Sequence, residues 1–175
     1  FDAYLEYPNS IQATVETVAP CIRTLLKNEV DVHYHVGNHD LWHLSHFSQG
    51  FGVHVHMKPA TRILFQQRYY LSHGDEEDLG KGLSRIFHQI IRHPLSYSLY
   101  RLVLPARWGQ TLPEWVSRRY ASSESKLTTI QALEAASGAI LKSEEIDVVV
   151  FGHSHTAARI ETGDGTYLNT GSWWL

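Results

Sequence analysis

A mixed α/β fold is predicted for this 175-residue chain by three observations. Segments with the 3.6-residue apolar period of helices are interspersed with segments of period two or continuous apolar character, as in strands. Three strand-like segments end in short polar stretches built around Gly, His, Asn and Asp. A hydrophobic content of 43% in a chain of this length suits a single domain with a real core.

Residues 11 to 27 place Ile11, Val15, Val18, Ile22, Leu25 and Leu26 at helical spacing behind the candidate N-cap Ser10. Pro20 predicts a kink in that helix. Val30, Val32, Tyr34 and Val36 then alternate with Asp31, His33 and His35, which predicts a strand closed by Gly37-Asn38-His39-Asp40. Asp40 is expected to cap a short helix with Leu41, Leu44 and Phe47 on one side, leaving His43 and His46 toward solvent. Residues 61 to 75 read as two short strands turning near the Gln66-Gln67 pair and ending in His73-Gly74-Asp75.

From Leu79 to about Leu141 the pattern is helical, with breaks at His93-Pro94 and around Pro105 to Gly109. Thr111 to Glu114 has the spacing of a capping box. The run Ile146 to Phe151, apolar but for Asp147, reads as a strand covered on both faces and ends in Gly152-His153-Ser154-His155. A closing hairpin is predicted around Gly163-Asp164-Gly165.

Composition narrows the chemistry. The single cysteine, Cys21, excludes an internal disulfide and a Cys-rich zinc site, so any metal must be held by His, Asn, Asp or Glu. No apolar run reaches the roughly 18 residues of a membrane span. The net charge of -3 is unevenly spread. Residues 79 to 123 carry seven basic side chains against Glu114 alone, a formal +6 that leaves -9 for the rest. Phe87, Tyr97, Tyr100, Trp108, Trp115 and Tyr120 are interleaved with them, a composition suited to phosphates, anionic lipid or nucleic acid, and equally to a solvated helical face with buried aromatics.

Strand ends along one sheet edge converge even when far apart in sequence, so the three polar stretches can share one site. Neutral imidazoles at i and i+2, as in His153 and His155, suit Mn, Fe, Zn or Ni. With Asn38 and His73 they make four candidate ligands. A dinuclear centre needs a bridging carboxylate besides, and none of the three stretches offers an obvious one.

The order Gly-Asn-His-Asp, His-Gly-Asp, Gly-His-Ser-His resembles the calcineurin-like metallophosphoesterases. The resemblance implies a four-layer αββα sandwich holding two divalent metals, with Asn38, His73, His153 and His155 among the ligands. Two earlier motifs of that family, Asp-x-His and Gly-Asp, have no counterpart here. The opening Phe-Asp-x-x-x-Glu-Tyr is similar to the residues directly after the bridging Asp, so the chain is expected to be a fragment cut within the second motif and also at its C-terminus. Residues 1 to 175 are then one phosphoesterase domain with a helical insert at 79 to 142, expected by themselves to bind metal weakly and turn over little.

Within the superfamily the chain is most similar to the UDP-2,3-diacylglucosamine diphosphatases of lipid A biosynthesis. The likeness covers nearly the whole length: Glu6-Tyr7, Leu41-Trp42 after the Asn-His-Asp, His93-Pro94, and the Ser/Arg/Lys-rich segment 117 to 126. It implies hydrolysis of the UDP-2,3-diacylglucosamine pyrophosphate to UMP and 2,3-diacylglucosamine 1-phosphate, with two metals, Mn2+ first and Fe, Zn, Ni or Mg as alternatives. It also implies a cytoplasmic enzyme peripheral on the inner membrane, whose insert holds acyl chains and which takes no nucleic acid. His39 would act on the phosphoryl group with Asp40 orienting it, and Asn38, His39, His153, Lys81, Arg119, Ser122 and Lys126 would contact substrate. Two positions depart from the pattern: His39 stands where some members carry Arg, and Lys81 where an acidic residue is expected.

Other readings are a different phosphodiesterase or phosphatase of this superfamily, a zinc peptidase, and a non-catalytic binding domain. The peptidase reading comes from His39-Asp-Leu-Trp-His43, one substitution from His-Glu-x-x-His. It needs both histidines on one helical face, whereas His39 follows a strand end.

Overall fold

The computed structural model describes residues 4–8, 10, 12–78, 83–112, 123–143 and 145–172. They form two compact units, one from residues 1–57 with 80–121, the other from 58–79 with 122–175.

In the first unit, helix α1 (Ala13–Lys27) covers a two-stranded parallel ladder of β1 (His33–His35) and β2 (His54–His56). The helix runs on through Pro20, and its N-cap is Gln12 rather than the expected Ser10, whose hydroxyl bonds Gln110 Oε1 at 3.1 Å. Val15 of α1 packs with Tyr4, Phe47 and Val53, and Ile22, Leu26, Val32, Tyr34 and Val55 close around them. Period-two alternation then puts the imidazoles of His33, His35, His54 and His56 together, with His33 opposite His54 and His35 opposite His56. Their rings stack, His33 Nδ1 lies 2.9 Å from His56 Nε2, and Asp31 bonds both His33 and His54. Strand β2 has only three residues and no sequence signal of its own.

Residues 41 to 45 are not helical, and a π-helical turn covers His46–Phe51 instead. Asp40 therefore caps no helix, and Leu44 is exposed while Phe47 is buried. The buried Glu6 takes over the capping: its carboxylate accepts the backbone N–H groups of Leu44, Ser45 and His46, each at 2.8 Å. This satisfies donors that a helix start leaves open. Three further helices follow, α3 (Leu83–Arg92), α4 (Pro94–Val103) and α5 (Ala106–Gly109), separated at the two expected breaks. His93 caps α4, its Nδ1 accepting the Leu95 N–H at 3.2 Å with Pro94 at the first helical position. The capping box falls at Glu114, outside the described residues.

The second unit is a five-stranded sheet in the order β3-β4-β5-β7-β6, comprising β3 (Ala60–Leu64), β4 (Gln67–Leu71), β5 (Val148–Phe151), β6 (Ala158–Thr162) and β7 (Gly165–Asn169). Strand β5 lies at the centre, parallel to both β4 and β7, which accounts for its continuous apolar run. The pairs β3/β4 and β6/β7 are antiparallel hairpins. The first turns on Phe65-Gln66, both at positive φ (51° and 66°), the conformation a two-residue hairpin turn demands and Asn-Gly usually supplies. After β4 comes the short helix α2 (Asp75–Asp78). Helix α6 (Ser123–Ser143) lies in the stretch expected as an insert but packs on this sheet, with Leu133 and Leu141 in one core with Ile146, Val149, Phe151 and Tyr167. The fold is mixed α/β, consistent with a partial metallophosphoesterase-like fold.

Candidate functional site

The parallel pairing of β4 and β5 sends their C-terminal ends to the same edge of the sheet. His73 and His153 follow those two ends, and their rings meet edge to face with centroids 5.2 Å apart. Backbone bonds hold the two loops together: Gly152 N–H donates to His73 O at 3.0 Å, and Ser72 N–H to Val150 O at 3.2 Å. Gly74 takes φ +104°, and a Cβ there would stand tight against Leu133 at 3.0 Å, so this motif glycine is called for chiefly by its conformation.

In Gly152–His155 the unusual backbone falls on the histidines instead. His153 and His155 adopt φ +53° and +55°, a region sparsely populated by residues with a side chain and concentrated at functional sites. The loop is tied down from β7, where the buried Asn169 amide donates to Gly152 O at 2.6 Å and accepts from Gly171 N–H at 3.0 Å. His153 Nε2 lies 3.2 Å from Asp78 Oδ2, which also accepts the Thr129 hydroxyl at 2.8 Å. His155 is exposed.

Asn38, His39 and Asp40 belong to the first unit. Asn38 and His39 are half-buried, and His39 O accepts the Tyr4 N–H at 2.9 Å. Asp40 is 3% exposed. Its carboxylate accepts the Gly37 N–H at 2.6 Å and the Tyr34 hydroxyl, closing the loop on itself. His43 Nε2 stands 3.8 Å away with its side chain 4% exposed, packed on Tyr4, Tyr34 and Phe47. The solvent-facing placement expected for His43 is thus wrong, and His46, half-buried against Phe47 and Phe51, corrects likewise. Both errors follow from assuming a regular helix after Asp40. Burial pushes the Asp40 carboxyl up, but the neighbouring His43 imidazole and the hydrogen bond from Tyr34 outweigh it and hold the group below its usual value. Burial first, then the Asp40 charge, raises the Tyr34 hydroxyl well above its ordinary range.

Trp42 anchors this loop to the helices: its indole N–H donates to Ile91 O at 2.7 Å and its ring stacks on Tyr97. Of the other candidates, Lys126 is exposed on α6, whereas Lys81, Arg119 and Ser122 lie outside the described residues. Sequence reasoning missed Asp78, Thr129, Asn169 and Glu6. Asp78, Thr129 and Asn169 stand in no motif whose spacing announces them, and Glu6, though part of the Glu6-Tyr7 likeness, carries no sign there of its capping role.

Imidazole and amide donors fit a borderline divalent cation by their chemistry. Among the described residues, no group of three or more His, Cys, Asp or Glu is gathered as a metal cage. No family model matches the chain. It is similar to the UDP-2,3-diacylglucosamine hydrolase of Porphyromonas gingivalis (strain ATCC BAA-308 / W83), 27% identical over 175 residues. The relation is distant. The match covers 89% of this chain and 66% of that protein.

Proposed function

We propose that this chain serves a metal-dependent hydrolase of phosphoester or pyrophosphate bonds, acting on UDP-2,3-diacylglucosamine to give UMP and 2,3-diacylglucosamine 1-phosphate. The observation that carries the reading is the His73–His153 pair at one sheet edge, on a loop with two histidines in left-handed backbone. The likeness to a hydrolase of that name supports the substrate. Two divalent cations, Mn2+ first, would supply Lewis-acid activation of the phosphoryl group and of water. His73, His153 and His155 would hold them with Asn38. His39 donates a hydrogen bond or a proton to a phosphoryl or leaving-group oxygen. Asp40, fixed by Gly37 and Tyr34, sets the position of the loop that carries His39.

The helices between 83 and 109 suit a lipid-linked substrate. Leu95, Leu99, Leu102, Val103 and Trp108 are exposed there, with Arg85 and Arg107 exposed as well. Apolar side chains flanked by cations match acyl chains beside phosphates and a peripheral position on the cytoplasmic face of the inner membrane. Among the described residues no helix is long and apolar enough to cross a membrane.

The test is UMP release from the UDP-lipid by the full-length protein with Mn2+, alongside cleavage of bis(p-nitrophenyl) phosphate. UMP release that falls about 100-fold or more in His39→Ala supports the reading. Cleavage of the diester alone would leave the reaction class and overturn the substrate. Cleavage of neither would overturn both.

A further inference from the structure

We infer that Asp78 is the positioning carboxylate of His153: it fixes the tautomer of that imidazole and so decides which ring nitrogen the Gly152–His155 loop offers to a cation. The inference rests on the metal-dependent reading above and adds a residue to it.

The geometry comes from three elements of the second unit. Asp78 closes helix α2, five residues beyond His73, and His153 follows β5. Asp78 Oδ2 lies 3.2 Å from His153 Nε2 and accepts the Thr129 hydroxyl of α6 at 2.8 Å. A carboxylate held from a second element is not a freely rotating surface group. The side chains of His153 and Asp78 are 16% and 26% exposed, so water competes weakly for the bond.

An ionised carboxylate only accepts, so the bond puts the His153 proton on Nε2. In the neutral ring that leaves Nδ1 with a bare lone pair, the form in which imidazole binds a metal. A carboxylate behind a ligating histidine orients the ring and raises its basicity, and losing it typically costs about 10- to 100-fold in metal affinity. The strained backbone of His153 makes such support more necessary, because the loop by itself does not favour that conformation. Sequence offered no sign of this, since Asp78 stands in the acidic run 75 to 78 with nothing to distinguish it.

The experiment is 15N-histidine NMR on the metal-free full-length protein, with the His153 ring identified by its loss in His153→Gln, followed by Mn2+ titration. The expected result, read at a pH where the ring carries one proton, is that this proton sits on Nε2. Asp78→Leu should mix the two tautomers and weaken Mn2+ binding about 10- to 100-fold. Asp164→Asn, a carboxylate in the β6/β7 turn, should change neither. If Asp78→Leu does not fold, Asp78→Ala serves: it removes the acceptor without supplying another and should mix the tautomers in the same way. A parent ring protonated at Nδ1, or an Asp78 variant with tautomer and affinity unchanged, would overturn the inference. A parent that shows the Nε2–H tautomer, lost in Asp78→Leu, but binds no Mn2+ upholds the pairing and sinks only the metal reading.

Discussion

Glu6→Ala is the most informative stability test, because one buried carboxylate closes three backbone donors at once. Its oxygens accept Leu44, Ser45 and His46 N–H at 2.8 Å each, and the residue is 6% exposed. Hydrogen bonds to a charged acceptor contribute roughly 1.5–3 kcal/mol apiece. Leu44 is exposed and its neighbours are half-buried, so water can reach part of what the substitution opens. A loss of about 3–5 kcal/mol is expected rather than the full sum. Glu6→Gln keeps one acceptor oxygen and loses the charge, so about half that loss should follow. Urea unfolding gives the global value, and amide hydrogen exchange at residues 44 to 46 should speed up by roughly 100-fold or more for Ala. A Glu6→Ala protein that loses less than about 1 kcal/mol with those amides still protected would show that the carboxylate is not their cap.

Gly109→Ala should cost about 1–3 kcal/mol, read in the same unfolding curves, since a Cβ there would collide with the Tyr7 hydroxyl, which donates to Leu104 O at 2.9 Å. Trp42→Phe removes the donor to Ile91 O and part of the stack on Tyr97, so a loss of about 1–2 kcal/mol is expected, with Trp42→Ala clearly worse. The Asp40 carboxyl titrates below its unfolded value of about 4. The unfolded chain therefore takes up the proton first, and the stability Asp40 provides is complete above that value and lost as pH falls through the folded pKa. Asp40→Asn should flatten the acid limb of stability against pH. Tyr34 has the opposite sign: the stability it provides is complete below its unfolded value of about 10 and lost as pH rises from there toward the raised folded value, so Tyr34→Phe should flatten the alkaline limb.

What could be read from the chain was what local pattern encodes. The apolar run at 148 to 151 is the central strand, His93-Pro94 is a helix start, and the His73 and His153 stretches leave adjacent parallel strands. The failures share a cause. Burial of His43, the cap by Glu6 and the link between Asp78 and His153 join residues 38 to 75 positions apart or depend on a π-helical turn that breaks the 3.6-residue period. The turn at Phe65-Gln66 hides for another reason, since neither residue favours positive φ and the pairing of β3 with β4 imposes it. The five histidines between residues 33 and 46 fall into separate roles: His33 and His35 in a stacked cluster, His43 and His46 among aromatics, and His39 alone as a candidate for chemistry.

Strands β4 and β5 are neighbours in space although the chain makes a long excursion between them. The spacing of His73 and His153 is thus set by strand register, with Tyr70 facing Val149 and Leu71 facing Val150, and not by the length or content of residues 80 to 121. That excursion can therefore be lengthened, shortened or rewritten without changing the spacing of the two imidazoles, because the register of β4 against β5 holds them.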